Sequence, residues 1–363
     1  MKNMIIGLGN TGTNIVKAAG SSLLLKDVKK YVIDSVMTSV DLGSINDINV
    51  IPIISDEKSG SGRNRERGKA MYEYHESQGA FKEMYDDAVN SKSPVLVITS
   101  AAGGTGSGSA VPVCRALLEL GVEVIPIIIC PNKNDPMAFH LNTNDLLMEL
   151  GEIGIETYSI FENRKGDANY EPINNEVVNL IEIIFGKCYG KTTLDSIDDS
   201  DLDVILNKPG RFIAVSAEAS TIPALSKEIT RKLFGGFQPA WSADQVPANT
   251  LITAFSLTSM FAETDFKVVF NEINNRLDPD TIYDEYRNIV NEDNNGISSA
   301  SIIIAGLPRT EVKEINSEYK EVDGLSDGMK KSHRPNFMSR KKASSGTTTD
   351  ASGNVINRFK WKK

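Results

Sequence analysis

Ile98-Thr99-Ser100-Ala101-Ala102-Gly103-Gly104-Thr105-Gly106-Ser107-Gly108-Ser109 is the stretch on which the fold turns. It leaves a continuous apolar run, Pro94 to Thr99, and enters a segment of helical spacing, Ser109 to Glu119. Such a run suits a parallel strand buried on both faces. A glycine loop between strand and helix turns backbone N–H groups toward an anion, and glycine lets the backbone come close to it. Thr105, Ser107 and Ser109 add hydroxyl donors. No Gly-Lys-Ser or Gly-Lys-Thr follows, so this is not a Walker loop. Strand and helix abut the loop directly, which argues against a flexible linker.

Working outward, a second such junction lies at Gly7-Leu8-Gly9-Asn10-Thr11-Gly12-Thr13-Asn14, after the apolar run Met4 to Leu8. Read alone, it is a GxGxxG, and Asp34 at the end of the next strand stands where a Rossmann acid holds a ribose hydroxyl. That is the signature of a dinucleotide-dependent dehydrogenase, which stays as the competing reading. One pyrophosphate needs one glycine turn, however. Two nests at two strand ends imply a triphosphate gripped from two sides.

Around these loops strands and helices alternate. Helices are expected over Asn14 to Leu25 and Gly68 to Asn90, and strands over Lys30 to Asp34, Asn49 to Ile54 and Val122 to Cys130. The pattern predicts a doubly wound α/β domain with right-handed crossovers. A long helix, Pro172 to Tyr189, follows, with proline in its first turn. After an acidic stretch, Asp195 to Asp203, a second α/β region runs from Arg211 to Leu307. Its strands are Phe212 to Val215, Leu251 to Leu257 and Ser301 to Ala305. Glu311 to Glu321 reads as a charged helix, and the tail from Ser332 has a composition that favours disorder.

GGTGSGS resembles the GGGTG[ST]G signature of the tubulin/FtsZ superfamily, with Ala102 in place of its first glycine. GLGNTGTN is similar to the family's first phosphate loop, and Gly60-Ser61-Gly62-Arg63-Asn64 to the loop that approaches the γ-phosphate. Glu162-Asn163-Arg164-Lys165 resembles the base-contacting loop. Tyr170-Glu171-Pro172-Ile173-Asn174 reproduces the aromatic-x-x-x-Asn that opens the family's central helix.

The resemblance covers roughly residues 1–307 and implies a Rossmann-like GTP-binding domain (1–169), a central helix (170–190) and a second α/β domain (191–307). A C-terminal helix (308–331) and a basic tail (332–363) would follow. It implies GTP or GDP as ligand, with Mg²⁺ on the phosphates. Phosphate contacts would come from Gly9, Asn10, Thr11, Gly62, Arg63, Asn64, Ala102, Gly103, Gly104, Thr105, Gly106 and Ser107. Asn14, Asn163, Tyr170 and Asn174 would meet the guanine, since an amide offers the donor and acceptor that its edge requires. Asp34 is retained as a further contact. FtsZ-type sequences carry a longer sugar-side loop with an arginine; here Pro131 to Pro136 is shorter and leaves Asn132 and Asp135 as candidates.

In this family a loop after the central helix brings acids to the next subunit's nucleotide. Asp198-Asp199-Ser200-Asp201-Leu202-Asp203 stands in that place and resembles NxDxx[DE] imperfectly, with Asp199 where the asparagine would be. Asp201 and Asp203 are the favoured acids, with Asp199 and Thr105 completing the catalytic set. The implied activity is GTP hydrolysis in a head-to-tail filament.

From Met329 to Lys363 there are ten Lys/Arg and one acid, a net of +9; with -9 for the whole chain, the rest carries -9 - 9 = -18. A basic tail on an acidic body is a partner signal. This layout resembles the TubZ branch of the superfamily, whose tails engage a DNA-bound adaptor, TubR. Phe359 and Trp361 among lysines fit an adaptor surface or direct DNA contact. A related filament serving division or phage-DNA positioning is the alternative. Three scattered cysteines without a CxxC, three histidines and no apolar run of membrane-spanning length point to a cytoplasmic protein with no membrane contact and no structural zinc. With the first strand at Met4, no leader is expected.

Overall fold

The computed structural model describes residues 3–36, 47–54, 60–91, 93–132, 134–163, 170–187, 196–238, 251–275 and 283–309. The helix expected at Glu311–Glu321, the basic tail, and Arg164, Lys165 and Asp195 lie outside them. The described residues fall in one compact unit, Met1–Glu318.

Six parallel strands are β1 (Met4–Leu8), β2 (Lys29–Asp34), β3 (Ile48–Pro52), β4 (Val95–Ser100), β5 (Val124–Cys130) and β6 (Thr157–Glu162). Their order is β3-β2-β1-β4-β5-β6, the doubly wound order that the alternation predicts. Side chains alternate between the two faces. Ile5, Val32, Leu96, Ile98 and Ile127 join one core, while Ile6, Tyr31, Ile33, Val97 and Ile128 join the other. This is why these strands read as unbroken apolar runs.

Helices α1 (Gly9–Gly20), α2 (Arg65–Ser77), α3 (Lys82–Val89), α4 (Thr105–Glu119), α5 (Met137–Glu152), α6 (Glu171–Glu182) and α7 (Asp199–Leu206) cover the sheet. α1, α6 and α7 contribute to the first core, and α2 to α5 to the second. The single helix expected over Gly68 to Asn90 is two. Gly79 takes a left-handed φ of +77°, which ends α2, and Phe81 then turns in to stack on Tyr72 at 4.5 Å. No element was anticipated between Cys130 and Glu162, yet α5 and β6 both lie there.

Beyond β6 the sheet continues through β7 (Gly210–Ala219), β10 (Ser298–Leu307), β8 (Leu251–Ser259) and β9 (Tyr283–Asn291), in that order. β10 is antiparallel to both neighbours. α8 (Ile222–Gly235) and α9 (Ala262–Asn274) pack on this part. β6 and β7 pair only at Thr157–Gly210 and Tyr158–Arg211. Past that seam, the Phe237 carbonyl accepts from Glu162 N–H (2.7 Å), and the Gln238 amide bonds both backbone groups of Ala214. α6 spans the seam, because its buried residues share a core with β1 and β5 on one side and β7, β8 and β10 on the other.

The central helix is α-helical only to Glu182 and continues as a π turn, Ile183–Lys187. The wider turn keeps Leu180, Ile181, Ile183 and Ile184 all buried.

Candidate nucleotide-binding site

β1 and β4 are neighbours, and the helices that follow them leave on opposite faces. The carboxyl ends of these strands therefore flank the crevice where open α/β sheets take ligands. Neither α1 nor α4 has a side-chain cap, so both present free N–H groups there. The helices begin at Gly9 and Thr105, earlier than the expected Asn14 and Ser109. The glycines sit in the first helical turns because no room exists for a β-carbon. One on Gly9 would lie 2.8 Å from the Gly106 nitrogen, and one on Gly106 would lie 2.8 Å from the Leu8 carbonyl oxygen. The third stretch joins them, because a β-carbon on Gly104 would collide with the Ser61 hydroxyl, and one on Gly68 with the Gly104 carbonyl. Three loops singled out separately in the sequence thus meet at one place.

Thr105 sits at their junction. Its hydroxyl lies 2.6 Å from that of Ser35 and donates to that of Ser61 at 3.1 Å. Ser107 donates back to the Gly103 carbonyl, and Ser109 to that of Thr105 at 2.7 Å. Among the described residues, Thr105's is the one of the three hydroxyls in the second loop that engages another loop. Asp34 is turned inward, 4% exposed, accepting from the Thr13 hydroxyl (3.3 Å) and Ser35 N–H (2.7 Å). That placement ties the first loop to the end of β2. Asn10, Gly62, Arg63 and Asn64 are exposed around the crevice, and Thr11, Ala102 and Gly103 are half-buried. Gly62 and Arg63 both adopt left-handed φ of 63°. Asn64 caps α2, accepting from Arg67 N–H at 2.9 Å.

α1 and α6 leave the same end of the sheet and pack together. The Ser22 hydroxyl donates to Glu182 at 2.7 Å near their far ends. Asn14 and Asn174 each stand eight residues before that contact, which levels them roughly 12 Å back toward the crevice. Tyr170, 54% exposed, precedes α6, and its carbonyl accepts from Asn174 N–H at 3.0 Å. The sugar-side candidates are bonded to one another. Asn132 N–H donates to Asp135 (2.8 Å), and the Asn132 amide donates to the carbonyl of Asn163, itself 8% exposed.

The acids lie elsewhere. Asp198 caps α7 in a reciprocal box with Asp201, at 2.9 and 3.0 Å, while Asp199 and Asp203 are exposed. The far end of α7 reaches the amino ends of β5 and β6: Asn207 donates to Glu123 at 3.4 Å, and Thr157 to the Lys208 carbonyl at 3.0 Å. From Glu171 to Lys187 the chain descends roughly 25 Å at helical rise. The acidic cluster and the glycine loops are therefore at opposite ends of the sheet.

Sequence reading missed Ser35 and Asn142, and quoted Ser61 only as part of its loop. Ser35 and Ser61 carry the hydroxyl contacts of Thr105, and Asn142 on α5 donates to the carbonyls of Arg63 (3.3 Å) and Ala102 (3.1 Å). α5 is anchored by a bidentate pair from Arg65 to Glu149 at 2.5 and 2.9 Å. That guanidinium holds the Glu149 carboxyl below its usual range against the opposing effect of burial. His140, also on α5, is lowered by burial, which the Asp135 carbonyl partly offsets.

The uncapped helix starts and the glycine cradle fit a polyphosphate. Among the described residues no group of three or more His, Cys, Asp or Glu could hold a metal ion. No helix among these residues is long and apolar enough to cross a membrane.

No protein-family model matches the chain. A curated relative, the cell division protein FtsZ of Haloferax mediterranei, is 22% identical over 246 residues, 66% of this chain and 64% of that protein's length. Among solved structures, the GTPγS-bound protofilament of CetZ2 from Haloferax volcanii superposes with a TM-score of 0.65 at 17% identity, covering 88% of this chain and 98% of that one. GDP-form protofilaments of TubZ from Bacillus thuringiensis serovar israelensis give 0.66 at 16% identity, covering 89% and 92%. TubZ of Clostridium botulinum phage c-st gives 0.65 at 14%, covering 88% and 98%. The fold is tubulin/FtsZ-like, and CetZ and TubZ resemble it equally.

Proposed function

We propose that this chain binds and hydrolyses GTP and assembles head to tail. The observation that carries the reading is the meeting of two uncapped helix N-termini and a third loop at the switch point, with the acidic cluster at the opposite end of the sheet. Backbone N–H groups of Gly9 to Thr11 and Gly103 to Ser107 would hold the phosphates. Asn14, Asn174 and Tyr170 would recognise the base, with Asn163 beside them. Magnesium, when bound, neutralises charge between phosphate oxygens. A second subunit stacked in the same orientation brings Asp201 and Asp203 to the crevice, where a carboxylate can orient water. Such a contact is heterologous and propagates into an open filament. The guanine-nucleotide-bound protofilaments among the similar structures support this reading.

Calorimetry with GTP, ATP and NAD tests the nucleotide. GTP should bind tightest, and Asn174→Ala should cost about 1–3 kcal/mol by leaving a buried base edge unpaired. Tighter binding of ATP or NAD would overturn the assignment.

The tail favours a narrower role. The net charge of +9 from Met329 to Lys363, with Phe359 and Trp361 among lysines, suits a TubR-like adaptor on DNA, or DNA itself. We read the chain as a partition filament of the TubZ kind, with a division or phage-DNA-positioning filament as the alternative.

A further inference from the structure

We propose that Asn142 is a positioning residue that sets the spacing of the two loops facing the terminal phosphate. This rests on the nucleotide reading above and concerns Asn142, a residue that the family resemblance did not single out.

The geometry is specific. Asn142 is half-buried on the second turn of α5, and its side-chain nitrogen lies 3.3 Å from the Arg63 carbonyl and 3.1 Å from the Ala102 carbonyl. Both partners can only accept, so the amide must present its NH₂, whose two hydrogens match the two carbonyls. One side chain therefore ties the loop at Gly60–Asn64 to the loop at Ala101–Thr105. Three residues earlier on the same helical face, Phe139 lies under the Arg63 guanidinium, 4.9 Å from the ring centre. α5 thus holds Arg63 twice, by its carbonyl and by its side chain.

The residue so held is in a conformation that needs support. Arg63 has a left-handed φ of 63°, which a non-glycine residue adopts at some cost. The other end of its loop is tied at the Thr105 hydroxyl through Ser61, and Gly60 N–H donates to the Ser35 carbonyl at 3.1 Å. Releasing Asn142 frees the Arg63 end while leaving these ties in place. α5 is itself fixed by Arg65–Glu149, so the clamp has a rigid base.

A loop spacing tuned to a terminal phosphate matters for GTP and little for GDP. That separates a positioning role from a structural one. In the full-length chain, affinities for GTP and GDP, kcat, KM and the melting temperature would be measured for Asn142→Ala, Asn142→Asp and Asn142→Gln. Aspartate repels both carbonyls, whereas glutamine keeps the donors. The alanine and aspartate variants should lose about tenfold of the GTP-over-GDP preference and a similar factor in kcat. GDP affinity and melting temperature should stay near wild type, and glutamine should recover part of the loss. Phe139→Leu should act in the same direction. In an Arg63→Ala background, which removes the guanidinium from the Phe139 ring, Phe139→Leu should add less than it does alone.

Equal weakening of both nucleotides, or an unchanged ratio in variants of a nucleotide-binding wild type, would overturn the positioning role alone. A wild type that binds neither nucleotide would overturn the functional reading and this proposal together.

Discussion

Removing the charge of Asp201 or Asp203 should slow hydrolysis only where subunits are stacked. The reason is distance. Within one chain α6 and its π turn alone run roughly 25 Å at helical rise from the crevice end of the sheet toward the acidic end. Two unit charges that far apart in water interact by about 0.2 kcal/mol before salt screens them further. That is worth about 1.4-fold in rate. A carboxylate positioned against the reacting water is worth about 10²–10⁴-fold. Asp201→Asn is the cleaner probe than alanine, because the asparagine oxygen can still accept from Asp198 N–H and preserve the cap of α7. Asp203 is exposed and carries no such duty.

Phosphate release would be followed across protein concentration. Wild-type activity per subunit should rise through a critical concentration. At least one aspartate variant should bind GTP normally, assemble, and turn over at least ~100-fold slower. Mixed one to one with Thr105→Ala, it should recover about a quarter of wild-type turnover, since that share of heterologous contacts pairs two intact surfaces. Activity per subunit that is flat with concentration, together with aspartate variants of normal rate, would refute catalysis across the contact.

Thr105→Ala should lower turnover more than GTP affinity, because its hydroxyl is the one in the second loop that bridges to Ser35 and Ser61; comparing single-turnover rates with calorimetric affinities checks this. The Arg65–Glu149 pair should matter for stability above the ordinary glutamate pKa of about 4.3 and fade as pH falls through the depressed folded value, since a carboxylate held low in the folded state is lost on protonation. The melting-temperature gap between wild type and Glu149→Gln should therefore be fully present at neutral pH and close in acid. Truncation after Lys331 should leave GTP-dependent light scattering intact and abolish co-sedimentation with adaptor-bound DNA, and binding to DNA alone should fall steeply with salt.

Local chemistry was enough to read the first half of this fold. Apolar runs such as Val95–Ser100 and Val124–Cys130 must be buried on both faces wherever they lie, so these strands, their alternation with helices and the doubly wound class follow from the sequence. The glycine loops announced themselves because few other roles demand so many glycines between a strand and a helix. Helix starts were misplaced by several residues, since a first turn rich in glycine looks like loop until the opposing backbone is seen. α5 gave no clear signal: it shows apolar Met137, Leu141 and Met148 to solvent, so its outer face blurs the periodicity of its buried one. What only the tertiary structure decided is which groups meet. Ser35, Ser61 and Asn142 are ordinary residues whose roles arise from partners 70, 44 and 40 positions away. The separation of Asp199–Asp203 from the phosphate loops is likewise set by the length and direction of α6, because hydrogen bonds and distances across a folded chain depend on packing that no local pattern encodes.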